Sequence, residues 1–282
     1  MRKRSVATFS CMLVALMAVI IRVLELSQGG LSEAADQQSS LTITVANVRG
    51  TIYDRNMKPL VNRQTSYRAC VAGFPEAIAA VAPELDEEAM AELEERLRTN
   101  RPAVVSLEKP VTYTDGLALF QVPERYSGSL LAPHLLGYLD GDGLHGVTGI
   151  EQAFDEYLTE HSGKATVTYK VDAAGRPLQG EKMEISSTLQ EAKAGVVLTL
   201  DQDIQRIAED AANKYIQRGA VVVMEPATGR ILAMASLPDF QPDTVADCLE
   251  AEDAPLLNRA LCNYNCGSVF KIASLAAALE QG

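Results

Sequence analysis

The chain has 282 residues, 47% hydrophobic and 22% charged, enough for roughly two domains with packed cores, which excludes wholesale disorder and collagen-like order. With 25 basic and 37 acidic residues the net charge is −12, aromatics make up 5% and Trp is absent. A surface that gathers phosphates by counterion release or stacks bases on aromatic platforms is not expected, so nucleic acid is excluded as a partner.

In chain order, the basic cluster Arg2, Lys3 and Arg4 precedes an apolar run over residues 6–21, broken only by Thr8 and Ser10, that continues past Arg22 to Leu26. A run of roughly 20 apolar residues fills a bilayer, and a basic side chain near its end can reach the interface. A cleavable signal peptide is the rival reading. It needs a small-x-small site, and Glu33 stands where the nearest candidate wants a small residue. An uncleaved single-pass anchor over 1–26 is expected. Its basic flank lies N-terminal and Glu25, Glu33 and Asp36 follow it, which puts the N-terminus in the cytoplasm and the body outside. Residues 27–41, rich in Gly, Ser, Gln and Ala, read as a linker.

Folded sequence is expected from Thr42. TITVANVRGTIYD alternates as strands do. DEEAMAELEERLR, from Asp86 to Arg98, reads as a surface helix with Met90, Leu93 and Leu97 on one side. VVLTL at 196–200 reads as a strand. Asp201 or Asp203 then caps a helix with Ile204, Ile207, Ala208, Ala211 and Tyr215 on one face, ended by Gly219. AVVVM and ILAMAS flank the turn EPATGR as a hairpin of largely buried strands, and Gly267-Ser268 opens the helix FKIASLAAALEQ, with Phe270 and Ile272 to bury.

The chemistry-bearing patterns are few. Gly141 to Gly146 fits G-x-G-x-x-G, but Asp142 sits inside the loop and no βαβ unit frames it, so it reads as a turn rather than a dinucleotide site. His134, His145 and His161 complete no metal or triad signature and read as surface or turn residues. Five cysteines, an odd number at irregular spacing, offer no disulfide framework, and the Cys262/Cys266 pair lacks a following His for a zinc site. No metal or cofactor is implied.

Ser-x-x-Lys is different, because a Lys amine one helical turn from a Ser can take the hydroxyl proton without any histidine, and a helix N-terminus favours a developing oxyanion. The tetrad occurs at Ser106–Lys109 and again at Ser268–Lys271. The first copy lies between Pro102 and Pro110, where a helix is poorly supported. The second opens an Ala- and Leu-rich helix after Gly267.

Several ordered motifs resemble class B penicillin-binding proteins, the monofunctional peptidoglycan D,D-transpeptidases of division, elongation and sporulation. They are Arg49-Gly-Thr-Ile-Tyr-Asp-Arg55, Gly146-Val-Thr-Gly-Ile-Glu151 with Asp155, Leu158 and Gly163, Leu198 to Gln205, Gly219 to Ser236, and Asn258-Arg259-Ala260 with Tyr264 and Gly267 to Lys271. The resemblance implies an α+β fold: a transmembrane helix, an elongated pedestal of dimerisation type over 42–195, and the first part of a serine transpeptidase, β-lactamase-like α/β domain over 196–282. It implies Ser268 as acyl nucleophile and Lys271 as proton acceptor, with peptidoglycan stem peptides as substrates, β-lactams as trapping analogues and cell-wall assembly proteins as partners. Met57 departs from a usual Gly and Cys266 from a usual Pro. Eleven residues follow Lys271, with no S-x-N or K-T-G element among them, so the chain as written is expected to be inactive alone. The competing expectation is a noncatalytic anchored module that binds assembly partners.

Overall fold

A computed structural model describes residues 2–28 and 39–281. Helix α1 (Arg2–Gln28) carries the apolar run, with exposed Phe9, Met12, Val14 and Met17. The anchor expected over 1–26 lies partly outside the residues whose side chains are described, and the linker expected over 27–41 largely so. Among the described residues no helix is long and apolar enough to cross a membrane.

The chain then forms strands β1 (Ser40–Val48), β2 (Thr51–Tyr53) and β3 (Gln64–Val71), and helices α2 (Pro75–Val81) and α3 (Glu87–Leu97). Asp86 starts α3 as the alternating acidic and apolar pattern predicts: its carboxylate accepts the Ala89 amide at 2.8 Å, and Leu93 is fully buried beneath it. Strands β4 (Ala103–Leu107) and β5 (Leu117–Glu124) follow, then the short helices α4 (Pro133–Leu136), α5 (Gly149–Ala153) and α6 (Asp155–Glu160), and strands β6 (Gly163–Lys170) and β7 (Glu184–Ser187). The last part holds β8 (Gly195–Val197), α7 (Gln202–Tyr215), β9 (Gly219–Met224), β10 (Ile231–Leu237), α8 (Val245–Cys248) and α9 (Phe270–Gln281). The mixture of antiparallel sheets and packed helices is α+β.

These elements gather into two compact units, each built from three stretches of chain. The first comprises residues 1–48, 64–123 and 163–191. It holds the antiparallel sheet β1-β6-β7 and the sheet β4-β3-β5. Its core joins Ala69, Val71, Val81, Leu93, Val105 and Leu117, which the strand alternation and the α3 stripe point inward.

The second unit comprises residues 49–63, 124–162 and 192–282. There β2 pairs in parallel with β8, Thr51 opposite Gly195, so tightly that a Cβ on Gly195 would sit 1.7 Å from the Thr51 carbonyl oxygen. Only glycine fits that register. The three-residue length of β2 ends the ladder, which is why β8 covers Gly195–Val197 and not the whole of the expected 196–200. Ile52, Leu60, Val61, Leu136, Leu158 and Leu200 form the core around this pair.

Helix α7 corrects the face expected from apolar spacing. Asp201 caps it as expected, its Oδ1 accepting from the amides of Asp203 and Ile204. Ile207 and Tyr215, however, are 69% and 75% exposed, and the buried positions are Gln205, Ala208 and Ala212. Gln205 sets this rotation. Its Oε1 accepts the Met234 amide at 2.7 Å and its Nε2 donates to the Met234 carbonyl at 2.9 Å, so one amide side chain pairs with β10 as a strand would. Gly219 does not end the helix; Ile216 does, in extended conformation, and Gly219 begins β9. The β9–β10 hairpin turns at Gly229 (φ +72), whose amide donates to the Glu225 carbonyl at 2.9 Å. β10 is largely buried; β9 is not, with Val222 and Met224 exposed.

Candidate functional site

Gly267 takes φ +56, and the chain turns through Gly267–Val269 as a 3-10 segment directly into α9. Ser268 and Lys271 lie three residues apart on this continuous helical path, the spacing that puts two side chains on one face a turn apart. Both are exposed. Among the described residues neither side chain is hydrogen bonded, to the other or to any third group. No residue of α9 is buried: Phe270 and Ile272, expected to pack inward, are 65% and 72% exposed because nothing in the unit covers this helix. The other tetrad is separated by its backbone, since Ser106 sits on β4 opposite Arg68 and so cannot share a helix face with Lys109.

The approach to Ser268 is built more firmly. Arg259 and the turn Arg259–Leu261 follow Asn258, whose Oδ1 accepts the Ala260 amide at 3.1 Å. Ser236 at the end of β10 is buried; its Oγ donates to the Leu257 carbonyl at 3.1 Å and accepts the Arg259 amide at 3.0 Å. His134 is a correction to its reading as a surface or turn residue. It is half-buried, its Nε2 lies 2.6 Å from the Pro255 carbonyl, and its ring meets Phe240 edge-on at 5.0 Å. Burial pulls its pKa below the usual histidine value. His145 is exposed beside Asp155, and His161 stacks on Tyr157 at 4.2 Å.

Other motif residues converge in the second unit on packing and charge compensation. Arg49 is 4% exposed and Glu151 fully buried. Arg49 Nη2 pairs with Asp155 Oδ1 at 2.9 Å, and its Nε lies 3.5 Å from Glu151 Oε2. Arg125, outside every motif, donates to Glu151 Oε1 from Nε at 2.7 Å and to the Gly50 carbonyl from Nη1 at 2.6 Å. Two guanidinium groups against two carboxylates leave this node neutral. Asp155 is held below the usual carboxylate range by the Gly146 amide and by Arg49, which prevail over its partial desolvation. Asp54, fully buried, accepts from the amides of Asn56, Lys58 and Gln202, so the first motif is tied to the start of α7. The G-x-G-x-x-G stretch is a turn in which Asp140 takes the amides of Leu144 and His145, leaving those donors closed to a phosphate. Among the described residues no group of three His, Cys, Asp or Glu is placed to hold a metal ion.

A family described as the penicillin binding protein transpeptidase domain matches residues 219–282, from β9 through the Ser268 turn to the end of α9. Stage V sporulation protein D of Bacillus subtilis (strain 168) is 36% identical over 162 residues, covering 55% of this chain and 24% of that protein. Peptidoglycan D,D-transpeptidase FtsI of Escherichia coli (strain K12) is 29% identical over 175 residues, covering 59% and 28%. The chain thus spans about a quarter of the length of these curated relatives. The solved structure of penicillin-binding protein PBP2 from Helicobacter pylori shares the fold, with a TM-score of 0.51 at 21% identity over 85% of this chain and 53% of that one. By these matches, and by the order in which its motifs occur, the chain is similar to penicillin-binding protein transpeptidases of class B type and spans part of the length of its relatives.

Proposed function

We propose that this chain carries the acylation end of a peptidoglycan D,D-transpeptidase. Ser268 Oγ attacks the penultimate D-Ala carbonyl of a stem peptide, terminal D-Ala leaves, and the acyl group passes to an amine of a neighbouring strand. Lys271, one helical turn on, takes the Ser268 proton as the bond forms, and the start of the helical path favours the oxyanion. The observation that carries this reading is the Ser-x-x-Lys spacing on a continuous helix inside the stretch that matches the transpeptidase domain. β-Lactams resemble the donor peptide and trap the same serine. The basic cluster and apolar run of α1 support a single-pass anchor with the body extracytoplasmic, where peptidoglycan is made. Residues 42–195 are then the pedestal, available to cell-wall assembly partners, and 196–282 the beginning of the catalytic domain.

The test is labelling with a fluorescent penicillin of the protein as its gene encodes it, in isolated membranes. Label should resist carbonate extraction and disappear in Ser268→Ala. Persistent label in that variant defeats the nucleophile assignment, and label released by carbonate defeats the anchor.

A further inference from the structure

Arg259 is 3% exposed, yet among the described residues its guanidinium meets no carboxylate. Its hydrogen bonds go to the backbone of the loop before it: Nη2 donates to the Asp253 carbonyl at 2.5 Å, and Nη1 lies 3.1 Å from the Ala254 carbonyl and 3.4 Å from that of Leu257. A buried cation costs free energy unless its donors are met. Here Nη1 and Nη2 are met by loop carbonyls, a set that only a planar fork with several fixed donors can reach together. Two neutral side chains hold the same loop from outside it. Ser236 bridges the Leu257 carbonyl and the Arg259 amide, and His134 meets the Pro255 carbonyl. Residues 253–259 are therefore fixed at four carbonyls and one amide, and the irregular stretch from Cys262 to Cys266 leads from this anchored end to the Ser268 turn.

We propose that Arg259 is a positioning residue for Ser268: with Ser236 and His134 it clamps the 253–259 loop, and the clamp sets where the nucleophile's turn begins. The inference rests on the acyl-serine reading above. It also accounts for an exposed turn and helix, none of whose residues is buried, being held at their upstream end. Arg259 touches neither Ser268 nor Lys271, so its effect on the reaction passes through the backbone alone.

The experiment has two arms, both on the protein as its gene encodes it. In the first, rapid-mixing acylation by a fluorescent penicillin separates the dissociation constant of the initial complex from the acylation rate constant and from the labelled fraction. A misplaced nucleophile lowers the rate constant, by as much as about a hundredfold for displacements near 1 Å, with the dissociation constant little changed. Arg259→Ala and Ser236→Ala are expected to show this, with Arg259→Lys recovering part of the rate. A loss confined to the labelled fraction, at an unchanged rate constant, marks a purely structural role and overturns the proposal. In the second arm, alkylation of half-buried Cys262 by iodoacetamide, read by mass spectrometry against buried Cys70, is expected to speed up severalfold in Arg259→Ala. An unchanged Cys262 rate overturns the clamp. If the unsubstituted protein is not acylated, the acyl-serine reading fails in the first arm, while the second still decides whether the clamp exists.

Discussion

Met57 occupies the left-handed region at φ +61, in the turn where its amide donates to the Asp54 carbonyl at 3.1 Å. A side chain with a Cβ is strained there by about 1–2 kcal/mol, a physical ground for the Gly that the resemblance implies at this place. Because Met57 is 60% exposed, little packing is lost on its removal. Met57→Gly is expected to stabilise the protein by about 0.5–1 kcal/mol, part of the relieved strain being offset by the freer unfolded chain; chemical denaturation will show an increased midpoint. Glu151 carries the opposite expectation. It is the buried carboxylate that faces both Arg49 and Arg125, so Glu151→Gln leaves two guanidinium groups under-compensated and should cost about 3–5 kcal/mol by the same measurement. The departure at Met57 is legible only through the family resemblance, and the sign of φ that gives it a physical meaning is not legible at all. Arg125 belongs to no local pattern, and only the fold brings it to Glu151, 26 residues on.

At the scale of the element, local chemistry predicts helix starts better than helix faces. Asp201 is readable as a cap and the acid-rich start at Asp86 as a helix beginning, because the capping bond joins residues three apart or fewer. The buried face of α7 was misread because apolar spacing favours Ile207 and Tyr215, while the rotation is decided by Gln205 reading the backbone of β10, 29 residues away. The Ser268 tetrad was readable as a helical pair, and its lack of covering residues was not. Asp201→Ala removes a cap at the helix that carries Gln205, and should cost about 1 kcal/mol in equilibrium unfolding. Hydrogen exchange should locate the loss, with faster exchange in the first turn of α7 than in α3, whose Asp86 cap is untouched.

For the whole molecule, several carboxylates share one physical device, ionised oxygens turned toward backbone amides. Asp140, Asp155 and Asp172 are held below the usual carboxylate range first by the amides of Leu144, Gly146 and Arg176 respectively. A carboxylate with a lowered folded-state pKa contributes stability that is present above its unfolded value near 4 and is lost as pH falls through the folded value. Glu209 runs the other way, since burial raises its pKa and its charged form disfavours the folded state as pH rises past the unfolded carboxylate value. A thermal-unfolding series should therefore fall steeply below about pH 4. Glu209→Gln should narrow the difference between mildly acidic and neutral pH; an unchanged profile in that variant would show that Glu209 does not titrate in this range.

The threading of the chain bears on how it is made. Residues alternate between the two units five times, and β6, the central strand of its sheet, lies in the third stretch of the first unit. A ribosome that has released residues 1–162 has delivered two-thirds of one unit's segments and two-thirds of the other's, and has completed neither. β1 then waits for β6, and β2 for β8, across separations of more than a hundred residues. Pairing at such range is slow, and it leaves strand edges open to other chains in the interval. Synthesis of this protein thus has no early foothold: the first of the two units has all its segments only once residue 191 has been made.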